Sequence, residues 1–289
     1  FIATLAGCRI FSMTPTEEPL PTVSALAVPQ LPDWIEKITP TGEVTSLSQI
    51  QIIFKHPLIP VERLDSPEQR QLLNQFEITP QLPGQFRFLT PRMVGFQADR
   101  ALPLATRIQV KLKQGLSDLE NHRLDQDLAW TFNTESIQLT NLPGTEENQG
   151  SADNPVGLTP NLTFNSNVEL DLDSLTQHTK LVAEASNQAI PIKAELTKNQ
   201  FNSESLPPQT QFDPSNHIWQ YTITPTESLQ KSTKYTLQIS PGLHPKRGNL
   251  DSQFIISSQV KTFDSLKFET LQPYGQPTGG GTYGRFENG

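Results

Sequence analysis

The sequence predicts an all-β chain: two tandem β-sandwich domains after a disordered, proline-rich linker. Three observations predict it. First, apolar residues alternate strictly with polar ones in several short runs. Ile108, Val110 and Leu112 alternate with Arg107, Gln109, Lys111 and Lys113, which marks a strand with one buried face. Such a face must be covered by a second sheet. Second, the run recurs. Leu102, Thr106, Ile108, Val110, Leu112, Gly115 and Leu116 match Leu229, Thr233, Tyr235, Leu237, Ile239, Gly242 and Leu243, each pair 127 positions apart. A repeat this long means tandem domains, not a solenoid. Third, the length of 289 residues suits about two domains at ~100–200 residues each.

Along the chain, residues 9–33 read as the linker. Pro15, Pro19, Pro21, Pro29 and Pro32 fall among Thr, Ser, Ala and Glu, a composition that favours extended, solvated backbone. Trp34 begins the ordered pattern. Ile50, Ile52 and Phe54 form a strand that Pro40 leads into, and Phe86 and Phe88 mark another. Between them a helix of about two to three turns is expected. Ser66 caps it, Pro67 opens it, Gln69 completes a capping box, and Leu72, Leu73 and Phe76 share one face. Leu128, Trp130 and Phe132 alternate in the last strand of the first copy.

In the second copy Pro160 leads into Leu162-x-Phe164. Glu169 to Ser174 reads as a helix start with Asp173 as cap. Leu181–Ala185 and Ile190–Ala194 form a hairpin with Asn187-Gln188 at its tip, and Pro191 is expected at a strand edge. The copy is read as closing on Lys261-Thr262-Phe263, matched to Trp130-Thr131-Phe132. Gly115 and Gly242 follow matching strands, where a turn needs positive φ.

Composition excludes several classes. The net charge of −8 argues against nucleic acid, since phosphate binding needs a basic face. The single cysteine, Cys8, allows no internal disulfide and no cysteine-rich zinc site. No stretch approaches the ~18 apolar residues of a spanning helix.

Leu5-Ala6-Gly7-Cys8, behind Phe1-Ile2-Ala3-Thr4, resembles the lipobox of bacterial lipoproteins. The resemblance implies cleavage before Cys8, diacylation of its sulfur, and a chain held to membrane lipid at the cell envelope, facing the periplasm or exterior. More than one acyl chain is what stable anchoring needs. Both ends read as those of a fragment: residues 1–8 as the end of a signal peptide, 267–289 as the start of a further segment.

Ile38-Thr39-Pro40-Thr41-Gly42-Glu43, the strand at Ile50–Phe54, and Gly115-Leu116-Ser117-Asp118 followed by Trp130-Thr131-Phe132-Asn133-Thr134 resemble a bacterial Ig-like domain. With the lipobox, the linker, and stretches such as Leu82-Pro83-Gly84-Gln85-Phe86-Arg87-Phe88, they resemble the N-terminal part of bacterial alpha-2-macroglobulin-like lipoproteins of a cyanobacterial kind. The resemblance implies Ig-like domains at 34–135 and 136–266. It departs in the second copy, where His244-Pro245 follows Gly242-Leu243. That family traps proteases; a bait region is cut, and thioester-bearing members couple to the protease through Cys-x-Glu-Gln. Here Glu68-Gln69 follows Ser66-Pro67, not a cysteine. The expected role is therefore a non-catalytic, membrane-proximal stalk of such an inhibitor, with proteases met by a region downstream. The alternative is a structural or adhesive surface lipoprotein.

The remaining chemistry reads as bland. His56, His122, His178, His217 and His244 show no metal-ligand spacing and are expected to be solvated. Asp118, Glu120, Asp125 and Asp127 read as a solvated turn ahead of a hard-cation site. Trp34, Trp130 and Trp219 read as packing residues. Asn161-Leu162-Thr163 fits a glycosylation acceptor, without meaning in a bacterial chain. There is no Gly-x-Ser-x-Gly, P-loop or dinucleotide fingerprint. No catalytic residue, cofactor or metal is assigned.

Overall fold

The computed structural model describes residues 19–265, except 65, 68, 146–147 and 202–216. In the first domain, β1 (Ile35–Thr39), β3 (Ile50–Phe54), β6 (Met93–Ala98) and β5 (Gly84–Thr90) form one sheet in the order β1-β3-β6-β5. β2 (Gly42–Val44), β8 (Leu128–Thr134), β7 (Arg107–Leu112) and β4 (Phe76–Thr79) form the other, in the order β2-β8-β7-β4. β2 runs parallel to β8; the other pairs are antiparallel. Taken in chain order, this is the immunoglobulin arrangement: the first, second, fifth and fourth main strands in one layer, the others facing them.

The alternation read from the sequence decides what meets between the sheets. Ile52, Phe54 and Val94 from one sheet and Ile108, Val110, Leu112 and Trp130 from the other are all 0% exposed. Each such large side chain contributes roughly 1.5–3 kcal/mol by leaving water. The Trp130 Nε1–H donates to the Pro40 carbonyl at 3.0 Å, so its one polar atom is satisfied in the core.

The helix is shorter than expected. A 3-10 turn at Val61–Arg63 precedes α1 (Gln69–Leu73), a single turn. No capping box forms: the Gln69 side-chain amide reaches back to the Arg63 carbonyl, and Ser66 Oγ has no partner among the described residues. Phe76 opens β4 instead of extending the helix. There it pairs with Leu112 and buries its ring beside Phe54, a better use of an aromatic than a half-exposed helix face.

The second domain is one continuous sheet folded over itself, in the order β15-β14-β11-β12-β13-β10-β9. Its strands are β9 (Leu139–Thr140), β10 (Leu162–Ser166), β11 (Thr179–Ala183), β12 (Ala189–Phe201), β13 (His217–Pro225), β14 (Lys234–Ile239) and β15 (Ile256–Lys261). β12 pairs β11 at its start and β13 along the rest, so one strand serves both layers. The hairpin forms as read: Leu181 pairs with Ile190, and Asn187 takes φ 54° at the tip. Pro191 pairs with Lys180 where β12 leaves β11. α2 (Leu172–His178) is capped by Asp171, not Asp173; the Asp171 carboxylate accepts the Ser174 N–H at 2.8 Å. Asp171 has extended backbone, as a cap requires, while Asp173 sits inside the first turn.

The duplication is exact in its hydrogen bonds. Thr134 Oγ1 accepts the Thr106 N–H at 3.0 Å and donates to the Pro103 carbonyl at 2.6 Å. Thr262 Oγ1 accepts the Thr233 N–H at 3.0 Å and donates to the Gln230 carbonyl at 2.7 Å. Ala105 and Ser232, at the same offset, both hold positive φ, at 48° and 51°. These bonds correct the match of the final strands. Thr262 answers Thr134, and Val260 answers Phe132, because Val260 pairs with Tyr235 as Phe132 pairs with Ile108.

The domains are joined tightly. Leu104 and Ala105 belong to the second core although they lie in the first domain's span. Asn249, in the β14–β15 loop, bonds the first domain at both faces of Arg107: Oδ1 accepts the Arg107 N–H at 2.7 Å and Nδ2 donates to its carbonyl at 3.1 Å. The same amide donates to the Pro21 carbonyl at 2.8 Å. From Pro19 the proline-rich stretch lies along the body at a few points while most of its residues stay exposed, as its composition implies. Leu26 exchanges two bonds with Thr131 Oγ1, and Val23 is buried.

Candidate functional site

Two loops at one end of the first domain bring together His56, Asp118, Glu120 and His122. His56 follows β3; the other three lie between β7 and β8. The loops are fixed to each other by the Leu119 N–H donating to the Pro57 carbonyl at 2.9 Å. The second loop is closed by bonds between Gly115 and Leu124 and between Asp118 and His122. Gly115 holds φ 92° where the strand ends.

Asp118 organises the loop. Its carboxylate side chain is fully buried, and Oδ1 accepts the backbone N–H groups of Glu120 and His122, each at 2.9 Å. Oδ2 lies 2.8 Å from His122 Nδ1. Burial alone would push the Asp118 carboxyl up, but the bonds from the His122 ring and the two backbone amides outweigh it and hold the group below the usual carboxylate range. An ionised carboxylate accepts only, so the His122 Nδ1–H donates to it and Nε2 is left as the other ring nitrogen.

His122 is held by stacking as well. Its ring lies 6.4 Å from Trp34 and 5.2 Å from His56 by centroid, and Trp34 stacks in turn on Phe54 at 5.5 Å. His56 Nδ1 meets Glu120 Oε1 at 2.8 Å. One ligand atom each from His56, Glu120 and His122 lies within 4.8 Å of the other two. The side chains are 34%, 55% and 44% exposed, so solvent reaches the group.

The sequence reading kept His56 and His122 apart as solvated residues, and they are neighbours here. Sixty-five residues separate them, so no local spacing rule sees the pair; Asp118-x-x-x-His122 was the one local sign. The acidic turn does not converge as a whole. Asp127 points its carboxylate to the Gln114 N–H at 2.7 Å and toward Lys111 at 3.9 Å. The other histidines are elsewhere: His178 meets Ser240, His244 meets Asp251 at 2.6 Å, and His217 stacks on Trp219 at 4.4 Å. Trp34 and Trp130 are core residues, and Trp219 is partly buried against the second core. Cys8 lies outside the described residues. A groove of about 330 Å³ over β3 and β6 is lined by Gln51, Arg87, Gln97 and Arg100, with neither histidine nor carboxylate for proton transfer.

The fold thus defines a protein of tandem Ig-like sandwiches with an exposed histidine–carboxylate cluster and, among the described residues, no helix long and apolar enough to cross a membrane. Over 287 residues, 99% of its length, the chain is 53% identical to an alpha-2-macroglobulin homolog of Nostoc sp.. This bears out the family resemblance read from the sequence. The chain spans 15% of that relative's length. No protein-family model matches the chain. Solved structures similar to it include an L,D-transpeptidase of Mycobacterium tuberculosis (12% identity, TM-score 0.25, 78% of this chain and 88% of that one). An L,D-transpeptidase of Mycobacterium smegmatis is also similar (11% identity, TM-score 0.26, 79% and 90%). Likenesses this weak carry no functional argument.

Proposed function

We propose that this chain is a non-catalytic, membrane-proximal stalk of a protease-trapping lipoprotein at the cell envelope, held to the membrane through Cys8. The observation that carries the reading is the 53% identity to the alpha-2-macroglobulin homolog across 99% of the chain. The shape of the chain supports it. Two sandwiches sharing a buried contact at Leu104 and Ala105 make a stiff spacer, and Asn249 joins them and the proline-rich segment at one point.

Two measurements test it together on the full-length protein carrying this chain. Fatty-acid labelling should mark the wild type and not Cys8→Ser, and only the wild type should partition into detergent. Mixed with excess protease, the full-length protein should protect a large protein substrate while a small peptide is still cut, since a trap blocks access and not the active site. Equal membrane association of both forms removes the anchor. Absence of size-selective protection removes the trap.

A further inference from the structure

We propose that His56, Glu120 and His122 form a binding site for a divalent transition-metal cation of the zinc type. Two imidazoles and one carboxylate are a donor set that suits Zn²⁺. The structure adds what a chance surface cluster lacks. Asp118 receives His122 Nδ1–H on a fully buried carboxylate, itself pinned by two backbone amides. That bond fixes the tautomer and leaves the Nε2 lone pair for a metal, the arrangement by which carboxylates support metal-bound histidine. The stack of Phe54, Trp34, His122 and His56 holds both rings without using their outer nitrogens.

The spacing requires little movement. Ligand atoms around a tetrahedral ion with bonds of ~2.0–2.1 Å lie roughly 3.3 Å apart. His56 Nδ1 and Glu120 Oε1 are now 2.8 Å apart, and the three-way set closes within 4.8 Å. His56 and Glu120 must separate slightly and His122 Nε2 must approach. Glu120 and His122 are exposed and His56 is half-buried, on loops already tied by Leu119 and Pro57. Solvent access leaves the fourth position to water.

The test uses the whole chain in a Cys8→Ser background, which removes its single thiolate as a competing ligand. Titration calorimetry with Zn²⁺ after chelator treatment should give one ion per chain. Co²⁺ in its place should develop the visible absorption of a tetrahedral centre. His56→Ala and His122→Ala should each weaken Zn²⁺ binding by at least ~100-fold, and Asp118→Asn by ~10–100-fold. Glu120→Gln should weaken it as well. His178→Ala should bind as the parent does. Circular dichroism confirms that each variant is folded; His56→Ala, at a half-buried loop position, and Glu120→Gln, at an exposed one, keep the test decisive if Asp118→Asn unfolds the loop. No stoichiometric binding by the parent, or undiminished binding by a folded His56→Ala/His122→Ala double variant, overturns the proposal.

Discussion

The two domains share a frame and spend the same loop differently. In both, a buried threonine on the last strand closes the turn before the preceding one, through Thr134 and Thr262. In both, a glycine with positive φ, Gly115 or Gly242, opens the loop between those strands. In the first domain that loop carries Glu120 and His122 outward over the buried carboxylate of Asp118. In the second it carries Arg247 and Asn249 inward, against the first domain and the proline-rich segment. A duplicated sandwich can thus keep its hydrogen-bonded closure while one copy's loop becomes a joint and the other's stays open to ligands.

The cores also differ, and the largest expected effect lies there. The first core is centred on Trp130, 0% exposed; the second uses Tyr221 and Tyr235, whose hydroxyls accept the backbone N–H groups of Leu170 at 2.6 Å and Gln230 at 2.7 Å. Trp130→Ala should cost ~3–5 kcal/mol through the cavity it leaves. Tyr221→Phe should cost ~1–3 kcal/mol, because it strands a buried amide without emptying space. Denaturant unfolding of the whole chain measures both. Equal losses would mean that the second core depends on its phenols as the first depends on its indole.

The shared closure gives a sharper comparison. Thr134→Val and Thr262→Val each leave a backbone N–H, of Thr106 or Thr233, without its acceptor. Each should cost ~1–3 kcal/mol, and the two losses should match. A large inequality would show that the matching bonds carry different loads in the two copies.

The smallest effect concerns pH. With chelator present, the stability lost in Asp118→Asn should shrink as pH falls below the unfolded carboxylate value. Asp118 has its folded pKa lowered, so its contribution is present above the unfolded value of ~3.9 and is lost as pH falls through the folded one. Unfolding midpoints of wild type and variant, compared between pH 7 and pH 2.5, should converge at the acid end. A gap that widens on acidification would reverse the assigned direction.

Much of the frame was legible in the sequence. Alternation, strict in β7 and broken at Ile53 in β3, gave β3, β7 and β8, and the 127-residue offset located β14 and both glycine turns. β13 was not read, although Tyr221 and Ile223 lie at the centre of the second core. Trp219, Tyr221 and Ile223 alternate there with Gln220, Thr222 and Thr224, the same period-2 sign that marks β7, so β13 was legible and went unread. The final-strand register was misread because Phe132 and Phe263 look alike in sequence, while pairing is set by cross-strand partners. The histidine cluster was illegible for a simpler reason: His56 and His122 sit on loops brought together only when the two sheets face each other.

Under the proposed anchoring at Cys8, the docked proline-rich segment has a mechanical consequence. Only residues 9–18 lie between that cysteine and the first docked residues, a leash of at most ~40 Å at the ~3.3–3.6 Å that each extended residue spans. Leu20 is bonded to the Arg247 carbonyl and Pro21 to Asn249, so the leash meets the body at the seam between the sandwiches and not at one tip. A pull from the membrane would load that seam in shear, and the amide of Asn249 would be among the first bonds to feel it.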